Sequence, residues 1–357
     1  MKTQTVSSKR NTALDIIRCF ALFFVVSVHF FKNTGYYDEP MQGISMFFMT
    51  LIRSVSMICV PLFLLLTGYL NKSQQLDWKS LKKLGTILLT YLLASVFCYG
   101  YRVLYLEAPF SVFLFLQELF SYNAAPYSWY VAMYIGLSLL APFFNTLFCN
   151  LDKKGRQLLV LVLVFLSFGA SLFNLYLPIT PDYWLSLFPF AYYFIGAYIR
   201  EYPLPRFSPK TTALQLLFAS VITGYYNFRR SHNAIFAKGL VNGNNAIAHL
   251  LIAVLFFCLI LQFDYSKVRP TFCRILEKIS KLSFGAYLVS WVFDSVFYEI
   301  LNSQVATVPE RFRFYPLIVP AVYAASLLTS WMISIIQEKL QLLFTDIGKL
   351  TKKFTLR

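Results

Sequence analysis

The sequence predicts an all-α, polytopic membrane protein with about ten transmembrane helices, and three observations carry that reading. Hydrophobic residues make up 58% of the 357 positions and charged residues only 13%, against roughly a quarter charged in soluble domains. Mean hydropathy is +0.59. Apolar runs of about 20 residues, the length that crosses a bilayer, recur from one end of the chain to the other. The basic residues gather between those runs, as topology signals do.

Taken in order, the runs cover 13–31, 44–70, 84–104, 127–147, 157–176, 183–200, 212–228, 246–262, 282–301 and 314–337. Pro61 is expected to interrupt the second run, because proline removes a backbone donor. The segment Phe110 to Phe120 is too short to span and carries Glu118, so it reads as interfacial or re-entrant. The basic start, Met1 to Arg10, precedes a run too long for a signal-peptide core, so this run is expected to be retained. No fixed-period repeat, Gly/Ser linker or second domain is visible, and residues 1–357 read as one membrane domain. A cytoplasmic amino terminus is expected over about residues 1–12, and a short basic tail over about 338–357.

The formal charge of +16 raises the possibility of nucleic-acid binding, but the placement of the charges argues for membrane topology instead. The amino terminus, the even-numbered connections and the tail together hold about 23 Lys and Arg, and the odd-numbered connections about 6. Both termini are therefore expected in the cytoplasm. One outer connection breaks the trend with Arg229, Arg230 and Lys238. Either it is a functional basic patch, or the seventh and eighth spans are misplaced. The six cysteines lie mostly inside apolar runs without metal-type spacing and read as small buried hydrophobes.

The first run carries the densest chemistry. At about 100° per residue, Arg18 and His29 return to within about 20° of each other, and Asp15 falls on the same side of the helix. Buried ionisable residues are costly in a bilayer and usually face a protein interior or aqueous cavity. His29 is the candidate general base, since neutral imidazole takes a hydroxyl proton near pH 7; the alternative is a histidine that only bonds a neighbouring helix. Arg18 can grip phosphate or carboxylate with Asp15 orienting it, or the two form a plain salt bridge. Arg53, in the middle of the second run, is the second candidate, with an oxyanion-binding role. Trp129 and Tyr130 open the fourth run and also suit an interfacial belt. His249 reads as interfacial, and Asp294, inside the ninth run, needs a partner. No nucleophile-elbow motif and no glycine-rich phosphate loop occurs.

These residues resemble the acyltransferase 3 family of integral-membrane O-acyltransferases. Leu14, Asp15 and Arg18 are followed by His29, with ten residues between Arg and His. Val60, Pro61, Phe63, Gly68 and Tyr69 resemble a second family block, Trp129 and Tyr130 a third. Ser280, Ser283, Phe284, Gly285, Tyr287 and Leu288 resemble a fourth. Two departures stand out: Lys79, Lys82 and Lys83 replace an Arg-x-x-Arg pattern, and Ser290 replaces a second histidine.

The resemblance implies acyl transfer, commonly of acetyl, from acyl-CoA to a hydroxyl of a cell-surface polysaccharide or its lipid-linked precursor. It resembles stand-alone members such as those acetylating enterobacterial common antigen and exopolysaccharides. It implies a bacterial cell membrane, acetyl-CoA or another acyl-CoA as a donor substrate, and no permanently bound cofactor or metal. Arg53 joins His29 as a catalytic candidate; Asp15, Arg18, Lys82, Lys83, Tyr69, Trp129 and Tyr130 are candidates for holding the donor or acceptor. Expected partners are membrane lipid, acyl-CoA, the glycan or lipid-linked sugar and a polysaccharide-synthesis complex, with no nucleic acid. The runner-up from another class is a transporter or flippase for a glycan or small anion; a third reading is an inactive scaffolding relative. Transporters often carry paired broken helices, and only one Pro-broken span with a buried Arg is visible.

Overall fold

The computed structural model describes residues 11–71, 78–175, 177–202 and 207–355, with the side chains of 78–81 and 344–355 outside that description. Residues 1–10 and the Lys79 side chain therefore lie outside the described residues. The described chain is all helix, with no strand beyond one isolated bridge between Met41 and His232. The helices are α1 (Thr12–Asn33), α2 (Gly43–Ser56), α3 (Cys59–Asn71), α4 (Trp78–Tyr105), α5 (Val112–Phe120), α6 (Trp129–Asn150) and α7 (Lys153–Phe173). They continue with α8 (Phe188–Glu201), α9 (Pro209–Arg230), α10 (Ile247–Gln262), α11 (Pro270–Gln304), α12 (Val308–Arg311) and α13 (Tyr315–Thr355).

Every expected run is helical, but not every one is a span in its own right. Among the described residues, 7 helices are long and apolar enough to cross a membrane, with Ile247–Gln262 a shorter apolar helix. The run 183–200 starts as a 3-10 turn, Asp182–Leu187, before the 14 residues of α8. The run 44–70 divides into α2 and α3 at Met57 and Ile58. Pro61 explains the position: it offers no N–H to the carbonyl four residues earlier, that of Met57. The expected tail from 338 is not a separate tail, since α13 continues to Thr355. The runs 212–228 and 246–262 fall on α9 and α10, neither of which is among those 7.

Helix α1 is central and packs against α2, α3, α10, α11 and α13. Asn11 caps it through its side chain, which accepts from the Ala13 N–H at 3.0 Å. Its fully buried Ile17, Ala21 and Leu22 join the main core, and Val26 joins a second cluster with Phe30 and Phe31. The α3–α8 contact depends on two glycines. A Cβ at Gly68 would overlap the Tyr193 carbonyl, and one at Gly196 the Leu65 carbonyl, so the two backbones meet directly. That is the physical role of Gly68 in the second sequence block. Among the six cysteines, Cys59, Cys98 and Cys258 are buried, whereas Cys149 is exposed; all six are free thiols.

Candidate active site

Helices α1 and α11 run side by side in the same direction and meet at two polar points. At one, Arg18 Nη1 donates to Ser280 Oγ at 3.2 Å and lies 3.7 Å from Asp15 Oδ1. At the other, His29 Nδ1 lies 3.2 Å from Asp294 Oδ2. The rise between Arg18 and His29 on α1 is about 16 Å. One helix pairing thus fixes both ends of the polar stripe.

A cavity of about 590 Å³ surrounds the first point. Arg18, Lys83 and Lys281 supply its cationic wall, with Thr86, Thr90 and Gln337 beside them. Its apolar wall includes Val60, Phe63, Tyr130 and Tyr287. All four sequence blocks therefore reach one cavity, although they are spread over some 270 residues of chain (residues 14–288). Asp15 is buried behind Arg18. Lys82 is exposed and outside the cavity lining, as is Trp129, whose ring packs on Tyr130. Tyr69 is also outside it, with its ring beneath the Arg200 guanidinium and its carbonyl accepting from Arg200 Nη1 at 2.7 Å.

The second point is a compact group of three side chains. Tyr127 donates its hydroxyl to Asp294 Oδ2 at 2.9 Å, and its ring lies against that of His29 with centroids 3.8 Å apart. The side chain of Asp294 is 2% exposed and that of His29 14%. His29 Nδ1 is at ion-pair distance from the carboxylate, but its alignment falls short of a hydrogen bond. Asp294 is the partner toward which Nδ1 turns, and Nε2 is the ring nitrogen on the other side from the carboxylate. Tyr287 ties the two points together: it lines the cavity, and its hydroxyl donates to the Tyr127 carbonyl.

Tyr127 gave no signal in the sequence, and Asp294 appeared there only as a carboxylate in need of a partner. One signal was available. Tyr287 and Asp294 are seven residues apart, which places them within about 20° on one face of α11. Arg53 is separate from this group. No hydrogen bond, ion pair or ring contact joins it to His29, Asp294 or Tyr127 among the described residues; it bonds Tyr37 and Asn242 instead. His249, expected at an interface, is fully buried.

A membrane domain with a cationic cavity backed by a carboxylate-paired imidazole is laid out as a membrane group-transfer enzyme. The acyltransferase domain model of the acyltransferase 3 type matches residues 11–335, and the chain belongs to this family of membrane acyltransferases. No curated protein and no solved structure matches the chain.

Proposed function

We propose that the protein is an O-acyltransferase, acting with acetyl-CoA or a close acyl-CoA on a hydroxyl of a cell-surface polysaccharide or its lipid-linked precursor. The observation that carries this reading is the pairing of the cationic cavity with the His29–Asp294–Tyr127 group through Tyr287. Arg18, Lys83 and Lys281 suit the phosphates of the coenzyme. Arginine grips phosphate in a planar fork, and lysine attracts it as a point charge. The apolar inner wall suits the pantetheine arm and a short acyl chain. The distribution of Lys and Arg supports a cytoplasmic side for the cavity.

In the reaction, His29 Nε2 takes the acceptor hydroxyl proton as the oxygen attacks the thioester carbonyl. The C–S bond breaks, and the coenzyme thiolate leaves with the proton held on the imidazolium. Asp294 stabilises that imidazolium, as a carboxylate does beside a catalytic histidine. A stepwise alternative, with the acyl group resting on the same nitrogen, uses the same residues. The oxyanion role expected of Arg53 is left out, since nothing connects it to His29.

The test is transfer of label from acetyl-CoA to extracted glycan in membranes. His29→Ala and His29→Gln should both lose about 10²–10⁴-fold in rate, the usual value of general-base help, at normal protein abundance. Gln keeps a hydrogen-bonding amide but cannot take the proton at neutral pH. Near wild-type transfer by His29→Gln would overturn the catalytic assignment.

A further inference from the structure

Away from the cavity, the loop 231–246 between α9 and α10 folds back over α2. Its backbone pairs with the turn after α1: the Met41 N–H donates to the Ala234 carbonyl at 2.9 Å, and the Asn233 N–H to the Met41 carbonyl at 3.3 Å. Beneath it lies Arg53, only 5% exposed. Its Nε donates to the Tyr37 hydroxyl at 2.8 Å, and its guanidinium lies 4.3 Å from the Phe236 ring centroid. Among the described residues no carboxylate is within ion-pair distance, and Nη1 has no hydrogen-bond partner. A buried guanidinium without a counter-charge is costly, and removing the partner of such a charge is what normally destabilises a protein.

The atoms around it complement this donor. Asn242 spends its amide N–H on the Ala237 carbonyl at 2.6 Å, leaving Oδ1 buried and unpaired. His249 Nδ1 lies 2.8 Å from the Gly243 carbonyl, which can only accept, so Nδ1 carries the proton and Nε2 is an acceptor. That Nε2 is also buried and unpaired, as is Asn244 Oδ1. Adjacent backbone joins this histidine to the arginine, since Arg53 Nη2 donates to the Asn242 carbonyl at 3.5 Å and His249 Nδ1 to that of Gly243. A second cation flanks the group, with Lys238 Nζ 5.2 Å from the Tyr37 ring centroid. One buried charged donor, several buried acceptors and no internal anion make a set that a hydroxylated anion satisfies.

The structure assigns to Arg53, Asn242 and His249 a binding subsite for a sugar bearing an acidic group, with the anion on Arg53 and sugar hydroxyls donating to Asn242 Oδ1 and His249 Nε2. It rests on the acyltransferase reading only in taking this sugar to be the acceptor. The acidic group is the carboxylate of a uronic acid or the phosphate of a lipid-linked sugar, since both present the same oxygens to a guanidinium. Lys238 and Gly239 are exposed above the buried Asn242. Gly239 takes φ +136°, a backbone conformation that favours glycine.

The test uses the purified full chain in detergent, with glucuronate, glucose 1-phosphate and glucose as probes, read by calorimetry and thermal shift. Glucuronate, glucose 1-phosphate or both should bind at least tenfold tighter than glucose, and which of them does so tells a uronate from a sugar phosphate. Arg53→Gln should weaken the acid at least tenfold. Arg53→Lys keeps the buried cation but not the planar fork, so it should also weaken the acid at least tenfold, which covers the case that Arg53→Gln fails to fold. Acetyl-CoA should bind both variants as it binds the wild type. Glucose binding as well as the acids, either variant that folds retaining wild-type acid affinity, or neither acid binding a wild type that still binds acetyl-CoA overturns the subsite and leaves the acyltransferase reading standing. Acid binding that needs Arg53, in a protein that transfers no acyl group, supports the subsite and overturns that reading.

Discussion

Asp294→Asn replaces one carboxylate oxygen with nitrogen and removes the charge beside His29. Asparagine keeps an oxygen to accept from Tyr127, so the change is close to purely electrostatic. At 3.2 Å and an effective dielectric of about 20, a carboxylate favours an imidazolium by about 5 kcal/mol. The slight exposure of His29 and the hydrogen bond from Tyr127 reduce this to about 3–5 kcal/mol of transition-state stabilisation. At about 1.36 kcal/mol per decade, the variant should be slower by about 10²–10⁴-fold. Initial rates of label transfer from acetyl-CoA, in membranes matched for protein abundance, measure this. Affinity for acetyl-CoA should be unchanged, because Asp294 is not part of the cavity wall. Tyr127→Phe keeps the ring against His29 and removes only the hydroxyl, so its loss should stay within about tenfold, in the range of one hydrogen bond to a charged group. Asp294→Asn retaining more than about a third of the wild-type rate would refute the reasoning, because a loss of even 1 kcal/mol would exceed that.

Arg18→Ala should weaken acetyl-CoA binding by about tenfold or more, with Arg18→Lys recovering part of it, since an ammonium lacks the two-pronged contact; equal affinity in both variants, by calorimetry, would leave Arg18 as a structural partner of Asp15. Gly196→Ala puts a methyl group into the Leu65 carbonyl and should cost about 1–3 kcal/mol as an overpacked contact, seen as a lower melting temperature in detergent, whereas Gly136→Ala, with open space around it, should not. Reporter fusions after Lys83, Lys210 and Lys281 should read cytoplasm, and those near Tyr37 and Asn123 outside; an outside signal at Lys83 would reverse the side from which the donor enters.

Helix positions were legible because apolar length is a local property of the chain, and so was the stripe from Asp15 to His29, because its period closes within one helix. The interruption of the second run was legible for the same reason: Pro61 leaves the carbonyl at Met57 without a donor, and the helix breaks there. Partners across the bundle were not legible. Nothing in the sequence around His29 shows that α11 will bring Asp294 to it from 265 positions away, or that Tyr127 will pack against both. The depth of Arg53 was readable from the length of its run, but its neighbours were not, because a loop supplies them. His249 looked interfacial for the same reason: a position near a helix end is exposed only if no connection folds over it, and here 231–246 does.

Under the proposed reaction, helix α1 holds the donor cavity and the base on one frame. Arg18 and His29 sit on the same rigid rod, about 16 Å apart, and α11 is fastened to that rod at both points, through Ser280 and through Asp294. The distance between the phosphate grip and the reacting nitrogen is therefore set by helix geometry rather than by a loop. Binding energy gathered at Arg18, Lys83 and Lys281 can then be used to hold a thioester against an imidazole some distance away, which is how remote contacts contribute to rate. Tyr287 lines the cavity and donates to the Tyr127 carbonyl, and the Tyr127 ring lies against His29, so one short chain of contacts joins the two points.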